Sequence, residues 1–535
     1  MRAKSHHNDQ LNTRAASIVA AAVMLSRLLG LARELIFAGF FGAGRGMDAF
    51  ITAFRAPNLL RDLFAEGALS TAFVTVFSQQ IATNGDQSAW KLASKMMTLT
   101  TVFMSLVSLL GIFFAPELIA LLAPGFGPEK AELTILLTKV MYPFILLVSL
   151  AALIMGMLNA KNIFTAPALA SSFFNLGSII GGVVFGWYFD PHFGERALTG
   201  LALGTLFGGL LQLVVQLPSL SKAGFHFILD FDWRDPGVKQ VLLLMLPAVI
   251  AASAVQINVM VNSIFASYLG DGPVSWLSYA FRLMQLPLGV FGVAIATVTL
   301  PLVSRIAALG DFMKFRSTLA RALRLALFLT IPSAVGLMIL ARPIIALIYE
   351  HGKFHVHDTI QTAMALQFYS IGLVSYACIK VLSPAFYALN HRYTPMMVSF
   401  LSIALNLFFN WIFIFKLHMG HRGLALSTAL SATLNFGLLY FFMVRFAGPL
   451  ELRQLFSTCW RCGFSTLPMM ILVWFSSHFL EQLHGSPILI RTGALLLVVT
   501  MAVLLFFTAS LLLKVEETSD FLRILKSRWN RLTNG

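Results

Sequence analysis

Charge is scarce in this 535-residue chain: Asp, Glu, Lys and Arg make up 11% of it, against 58% hydrophobic residues. A soluble globular enzyme carries about a quarter charged residues, so that class is excluded. Cysteine is scarcer still. Cys378, Cys459 and Cys462 are too few for a disulfide framework. The pair Cys459-Trp460-Arg461-Cys462 stands alone, with no second pair to complete a zinc site and no strand pattern of a thiol-redox fold. A cleavable leader is not expected either, because the first apolar stretch carries Arg27, Arg33 and Glu34 where a leader has a short charge-free core. The connections are short, the longest running from Ser221 to Lys239, and leave no room for a soluble catalytic domain. No separate basic domain exists to bind nucleic acid, despite a net charge of +15.

What is present is apolar sequence in runs of ~20 residues, the length that crosses a bilayer as a helix. These runs are centred near residues 28, 70, 103, 145, 175, 207, 250, 290, 333, 373, 405, 432, 470 and 502. The expectation is an all-α polytopic membrane protein with about 14 transmembrane helices. Lysine and arginine crowd alternate connections, among them Arg14, Lys91, Lys95, Lys222, Arg234, Arg316, Arg445 and Arg523. The opposite connections hold few, such as Arg45, Lys130, Lys353 and Arg491. The asymmetry predicts that both termini are cytoplasmic and accounts for much of the positive charge, which sits at the anionic inner leaflet. After Lys514, Phe521, Leu522, Ile524, Leu525 and Trp529 alternate with basic residues, the pattern of an interfacial amphipathic helix.

The chain repeats itself. Ala53-Phe54-Arg55 recurs as Ala280-Phe281-Arg282, Leu158-Asn159 as Leu389-Asn390, and Asn175-Leu176 as Asn406-Leu407, all at a nearly constant offset. Six spans fit that offset, so both copies enter the membrane the same way up. The predicted division is a six-helix bundle over 1–221, a parallel six-helix bundle over 222–450, two extra helices over 451–514 and a cytoplasmic amphipathic tail over 515–535. Parallel repeats of this kind are a transporter signature, with the substrate site where the copies meet.

Charges inside the predicted spans mark that site. Arg27, Arg33, Glu34, Asp48, Arg55, Arg61, Asp62 and Glu66 fall in the first two spans, where each charge costs roughly 2.5–3.5 kcal/mol at mid-bilayer unless it faces another charge, water or a ligand. Asp48, Arg55, Asp62 and Glu66, spaced seven, seven and four apart, share one helical face. Pro57 interrupts the second span, and Pro287 with Gly289 and Gly292 interrupts its repeat after Arg282, which frees backbone groups for neighbours or cavity water. Cations balance anions in the first copy, and Arg282 adds one more guanidinium without an acidic neighbour. An excess of guanidinium favours a phosphate-bearing substrate, which its planar fork binds with two hydrogen bonds.

The run SRLLGLARELIFAGFFGAGRGMDAFITAFRAPNLLRDLFAEGALSTAFV resembles the amino-terminal signature of the MurJ (MviN) family of bacterial lipid II flippases. FASYLGDGPVSWLSYAFRLMQLPLGVFGVAIATVTLP and KVLSPAFYALNHRYTP are similar to the same family. The resemblance implies the fold shared with multidrug and polysaccharide-lipid exporters. It also implies alternating access that carries an undecaprenyl-pyrophosphate disaccharide-peptide to the outer leaflet of the bacterial inner membrane. By position in the motifs it places the family's cavity residues on Arg27, Arg33, Asp48, Arg55, Arg61, Glu66 and Arg282, with Arg33, Arg61 and Arg282 on the pyrophosphate. The two extra helices would form a groove for the lipid tail. The chain departs from many relatives at Phe281 and Gln285, which stand where an acid flanks the arginine. Some relatives hold sodium through acids in the second bundle. Here only Asn406 and Asn410 lie on a matching face, so no cofactor or metal is expected.

Two further patterns are weighed against plainer readings. His351, His355 and His357 with Asp358 read as a solvated outer loop, since no fourth ligand encloses a metal. Asp230-Phe231-Asp232 reads as a turn, lacking a nucleotide-binding domain around it. The alternatives to a flippase are an exporter of another polyprenyl-linked sugar or of drugs, an enzyme acting on a polyprenyl phosphate, and a scaffold for cell-wall enzymes. An enzyme needs an acid/base pair or metal ligands at the cavity mouth, whereas this cavity is dominated by arginine. Lipid II and membrane lipids are the expected partners, with cell-wall synthesis enzymes as further candidates, and nucleic acid is not.

Overall fold

A computed structural model describes residues 2–63 and 69–519. Every regular element among them is helical. In chain order the α-helices are α1 (Arg2–Phe41), α2 (Arg45–Leu60), α3 (Ser70–Phe113), α4 (Ala115–Leu122), α5 (Pro128–Met141), α6 (Phe144–Ala160), α7 (Thr165–Phe189), α8 (Ala197–Val214), α9 (Leu217–Lys222) and α10 (Pro236–Ser267). They continue with α11 (Pro273–Pro287), α12 (Ala294–Ala308), α13 (Phe312–Ile339), α14 (Ala341–Ile348), α15 (Val356–Ala388), α16 (Tyr393–Trp411), α17 (His421–Ala447), α18 (Leu452–Gln482) and α19 (Ile488–Leu512).

Eleven helical runs among the described residues are long and apolar enough to cross a membrane, from Ser70–Phe113 to Ile488–Leu512. The predicted spans near 28 and 250 correspond to α1 and α10, which are helical but outside that set of eleven. The span predicted near 70 begins in α2 and resumes in the first limb of α3. Gly85 divides α3 into two limbs, its φ of 79° breaking the helix where an L side chain would be strained. Glu66 and the tail from residue 520 onward lie outside the described residues.

The repeat is visible in local conformation. Arg61–Leu63 wind into a wider π turn, as do Leu288–Val293. In each copy the turn follows a helix that contains a proline, Pro57 or Pro287, whose missing N–H leaves a carbonyl unpaired. Gly85 has its counterpart in Gly310 (φ 70°), α4 in α14, and the left-handed Asn162 (φ 60°) in Asn390 (φ 61°). These pairs keep nearly the same separation along the chain as Ala53 and Ala280. The match of Leu158-Asn159 with Leu389-Asn390 therefore shifts: the asparagine that ends the helix in the first copy is Asn162, because that position must adopt a left-handed turn, which asparagine tolerates.

The chain forms two compact units, residues 1–275 with 351–354 and residues 276–350 with 355–535. In the first, α7 and α8 approach backbone to backbone. A Cβ on Gly204 would lie 2.1 Å from the Gly182 nitrogen, and one on Gly200 would lie 2.4 Å from that of Gly186, the small-residue packing on which membrane helices depend. A core of Phe73, Phe77, Leu153, Met157 and Val241 joins α3, α6 and α10. Residues 351–354 dock in the same unit: the Lys353 N–H donates to Gly39 O at 2.8 Å, and Lys353 Nζ donates to His192 O and Phe193 O. In the second unit, α18 and α19 pack on α13 through Phe328, Met469, Val473 and Phe506.

Candidate functional site

The charged stripe of α2 meets partners in the segment 256–275 and in Lys130 of α5. Asp48 in its first turn is fully buried. Its Oδ2 accepts from Lys130 Nζ at 2.9 Å and from the Gly272 N–H at 2.7 Å. Its Oδ1 accepts from the Ser275 N–H at 2.8 Å and from Ser275 Oγ at 2.7 Å. Two turns on, an Arg55 Nη donates to Ser263 Oγ of α10. Two turns further, Asp62 Oδ2 accepts from Gln256 of α10 at 3.2 Å. The heptad spacing of 48, 55 and 62 is thus matched by partners running the opposite way, so one face of α2 forms a polar seam against 256–275.

Arg61 is off the stripe by its position on the helix, but its side chain bends back to it. Its Nε and Nη2 both reach Asp62 Oδ1, at 3.2 and 2.9 Å. Arg33 of α1 pairs with Glu34 at 2.9 Å, and both side chains are largely shielded. Neighbouring helical residues diverge by about 100°, but these two side chains are long enough to bend together. The Arg33 guanidinium also lies over the Phe174 ring, 5.3 Å from its centroid, an arrangement that holds the plane of the fork. Arg27 is exposed, with no hydrogen bond or ion pair among the described residues. The first unit therefore holds four arginines of the predicted set on α1, α2 and the turn after it.

In the second unit Arg282 is an exposed side chain of α11, next to Phe281, whose ring packs edge-on against Tyr369 at 5.3 Å. Asn406 and Asn410 are both fully buried. Asn406 Nδ2 donates to Ser427 Oγ at 3.0 Å and Asn410 Nδ2 to Asn406 Oδ1 at 3.1 Å, which ties α16 to α17. No group of three His, Cys, Asp or Glu able to hold a metal occurs among the described residues.

The remaining sequence patterns resolve into local contacts. His355 and Asp358 form a reciprocal cap at the start of α15, and Asp358 also accepts from Trp276 Nε1 at 3.0 Å. His351 meets Leu35 O at 3.1 Å. All three cysteines are free thiols. Lys130, Gly272, Ser275, Ser263 and Gln256, which complete the seam, carry no local signal. They are remote in sequence from Asp48, Arg55 and Asp62, and only the fold brings them in.

A family model described as lipid II flippase MurJ matches residues 37–493. A probable lipid II flippase MurJ of Vibrio cholerae is 38% identical over 432 residues, covering 79% of this chain and 81% of its own. The lipid II flippase MurJ of Burkholderia cenocepacia is 36% identical over 433 residues, covering 80% and 83%. A probable lipid II flippase MurJ of Rickettsia prowazekii is 32% identical over 511 residues, covering 94% and 98%. Among solved structures, a lipid II flippase MurJ in an inward closed conformation superposes with a TM-score of 0.74 at 27% identity, covering 95% of this chain and 99% of that one. An inward-facing multidrug transporter of the MATE family shares the fold, with a TM-score of 0.67 at 16% identity, covering 82% of this chain and 99% of that one.

Proposed function

The chain belongs to the lipid II flippase MurJ family, and from that premise we propose that it carries lipid II from the cytoplasmic to the outer leaflet of the bacterial inner membrane by alternating access. It is a transporter and not an enzyme. The observation that carries this reading is the match to the family over residues 37–493, a stretch that contains every charged residue of the candidate site except Arg27, Arg33 and Glu34.

Arg33, Arg61 and Arg282 bind the pyrophosphate in this proposal. Arg27, Arg55 and Glu66 complete the charged lining. Arg33 and Arg61 are held ready by adjacent carboxylates, Glu34 and Asp62, which lower the cost of a cation within the membrane. Pyrophosphate replaces that one-oxygen partner with several oxygens matched to the guanidinium fork. Asp48 belongs to the site as a positioning residue, since both its oxygens are engaged by Lys130, Gly272 and Ser275. The repeat supports bundles over 1–221 and 222–450, with 451–514 as two helices for the lipid tail, 515–535 as a cytoplasmic tail and fourteen crossings in all.

Depleting the protein and locating lipid II by leaflet tests this. Lipid II is expected to accumulate, chemically unchanged, in the cytoplasmic leaflet. Covalent change of labelled lipid II by the purified protein would establish an enzyme instead. Equal transport of an unrelated polyprenyl-linked sugar would establish a broader exporter.

A further inference from the structure

The segment that joins the two repeats, between α9 and α10, has neither helix nor strand from residue 225 to 232. Its sequence alternates with period two. Phe225, Phe227, Leu229, Phe231 and Trp233 occupy odd positions, while His226, Asp230, Asp232 and Arg234 occupy even ones, with Ile228 the one apolar residue among the even positions. Contacts with α3 set which of these side chains face the helix. Lys95 Nζ lies 3.9, 3.0 and 2.7 Å from carboxylate oxygens of Asp230, Asp232 and Asp235. The backbone N–H groups of Ile228 and Asp230 donate to Ser94 Oγ and Thr98 Oγ1, one helical turn apart, each at 3.3 Å. Burial would raise the Asp235 carboxyl, but the bond from Lys95 and those from the Gly237 and Val238 N–H groups hold it below its ordinary value.

This clasp turns the acidic side onto α3 and leaves the apolar side outward. Phe225 is buried at one end, but Phe227, Leu229, Phe231 and Trp233 are each more than half exposed, as is Ile228. An apolar surface of that size needs a partner. Two observations identify it. On α3 the exposed Val102, Phe103, Leu106 and Leu109 begin one turn beyond Thr98, so the apolar side of the segment continues the lipid-facing side of a membrane-crossing helix. Exposed cations surround it as well, namely Lys91, Lys222, Arg234 and Lys239, with the Arg234 guanidinium over the Trp233 ring at 5.2 Å.

We propose that residues 227–233 are an interfacial anchor: their aromatic and aliphatic side chains insert at the headgroup boundary of the leaflet nearest Lys95, and the flanking cations select anionic phospholipids there. Tryptophan and phenylalanine beside basic residues suit that depth, where one side is apolar and the other wet. Lys95 neutralises acids that would otherwise repel an anionic surface. The anchor holds the join between the repeats at a fixed membrane depth.

The test uses the full chain with Cys378, Cys459 and Cys462 replaced by serine, and a fluorescent thiol label at one of His226→Cys, Phe227→Cys, Leu229→Cys, Phe231→Cys or Arg234→Cys. It is reconstituted in liposomes of phosphatidylglycerol and phosphatidylcholine. Labels at 227, 229 and 231 should be quenched by lipid carrying a shallow nitroxide and protected several-fold from iodide, while labels at 226 and 234 show the reverse. Protection should weaken in liposomes of phosphatidylcholine alone. Lys95→Ala should erase the difference between the two sides. Equal iodide access on both sides in the anionic liposomes overturns the anchor. Protection seen only in native membranes overturns it in favour of a protein partner. Protection indifferent to anionic lipid overturns the lipid selectivity, and alternation that survives Lys95→Ala overturns the clasp.

Discussion

Replacing Lys130 with methionine separates two roles for Asp48. The carboxylate is fully buried, and Lys130, itself 5% exposed, is its one cationic partner within hydrogen-bond reach among the described residues. Methionine fills the space of the lysine stem but leaves the carboxylate without a counter-charge, held only by Gly272 and Ser275 donors. Breaking a buried pair from one side costs about 3–5 kcal/mol. Asp48→Asn should cost less, about 1–3 kcal/mol, because Lys130 keeps Gly270 O at 3.0 Å and the half-exposed Asp271 at 2.9 Å. The double variant buries no lone charge, so it should be no less stable than Lys130→Met and should show a coupling of up to ~3 kcal/mol. Reversible unfolding by sodium dodecyl sulfate in mixed micelles measures all three. If Lys130→Met unfolds like the parent but loses transport, Asp48 acts on substrate and the positioning role fails.

Alanine at Arg33 or Arg61 should abolish lipid II transport with normal membrane levels, and lysine should restore part of it, since the charge remains and the fork is lost. Variants degraded before insertion would show the arginines to be structural. A cysteine at Arg234 should resist impermeant thiol reagents in intact cells and react after permeabilisation; labelling from outside would reverse the assigned orientation. Gly310→Ala should cost only ~1–2 kcal/mol, because φ is positive but the space around Cβ is open. Gly352→Ala should cost more in the same unfolding assay, because its Cβ would fall 2.1 Å from Gly39 O and lift residues 351–354 from their seat.

The helical class and most of the spans were legible because hydropathy is a local property, and a run such as Ile488–Leu512 can be little else. The repeat was legible in outline for the same reason. Its fine register was not, since Asn159 and Asn162 differ only in which one must end a helix, and that depends on where the turn closes. Asp230 and Asp232 do form the turn that the sequence suggests, each accepting from the N–H two residues on; what the sequence does not give is Lys95 of α3, which closes on both.

The charged face of α2 shows where periodicity stops carrying information. Spacing alone places Asp48, Arg55 and Asp62 on one stripe, and they lie on one stripe in the fold. It does not say what the stripe meets. The structure sets it against 256–275 and Lys130 of α5, so that a lysine, a serine hydroxyl and a glutamine amide answer a carboxylate, a guanidinium and a carboxylate in turn. The partners are mostly neutral along α10, which has a consequence for transport. The bond from Arg55 to Ser263 has an ion at one end only, and exchanging the serine hydroxyl for a phosphate oxygen adds the attraction of a second ion, whereas opening the buried pair of Asp48 and Lys130 leaves an uncompensated charge. A substrate anion can therefore recruit the middle of the seam while its Asp48 end stays closed, and Ser263→Ala should leave lipid II binding intact where Lys130→Met does not.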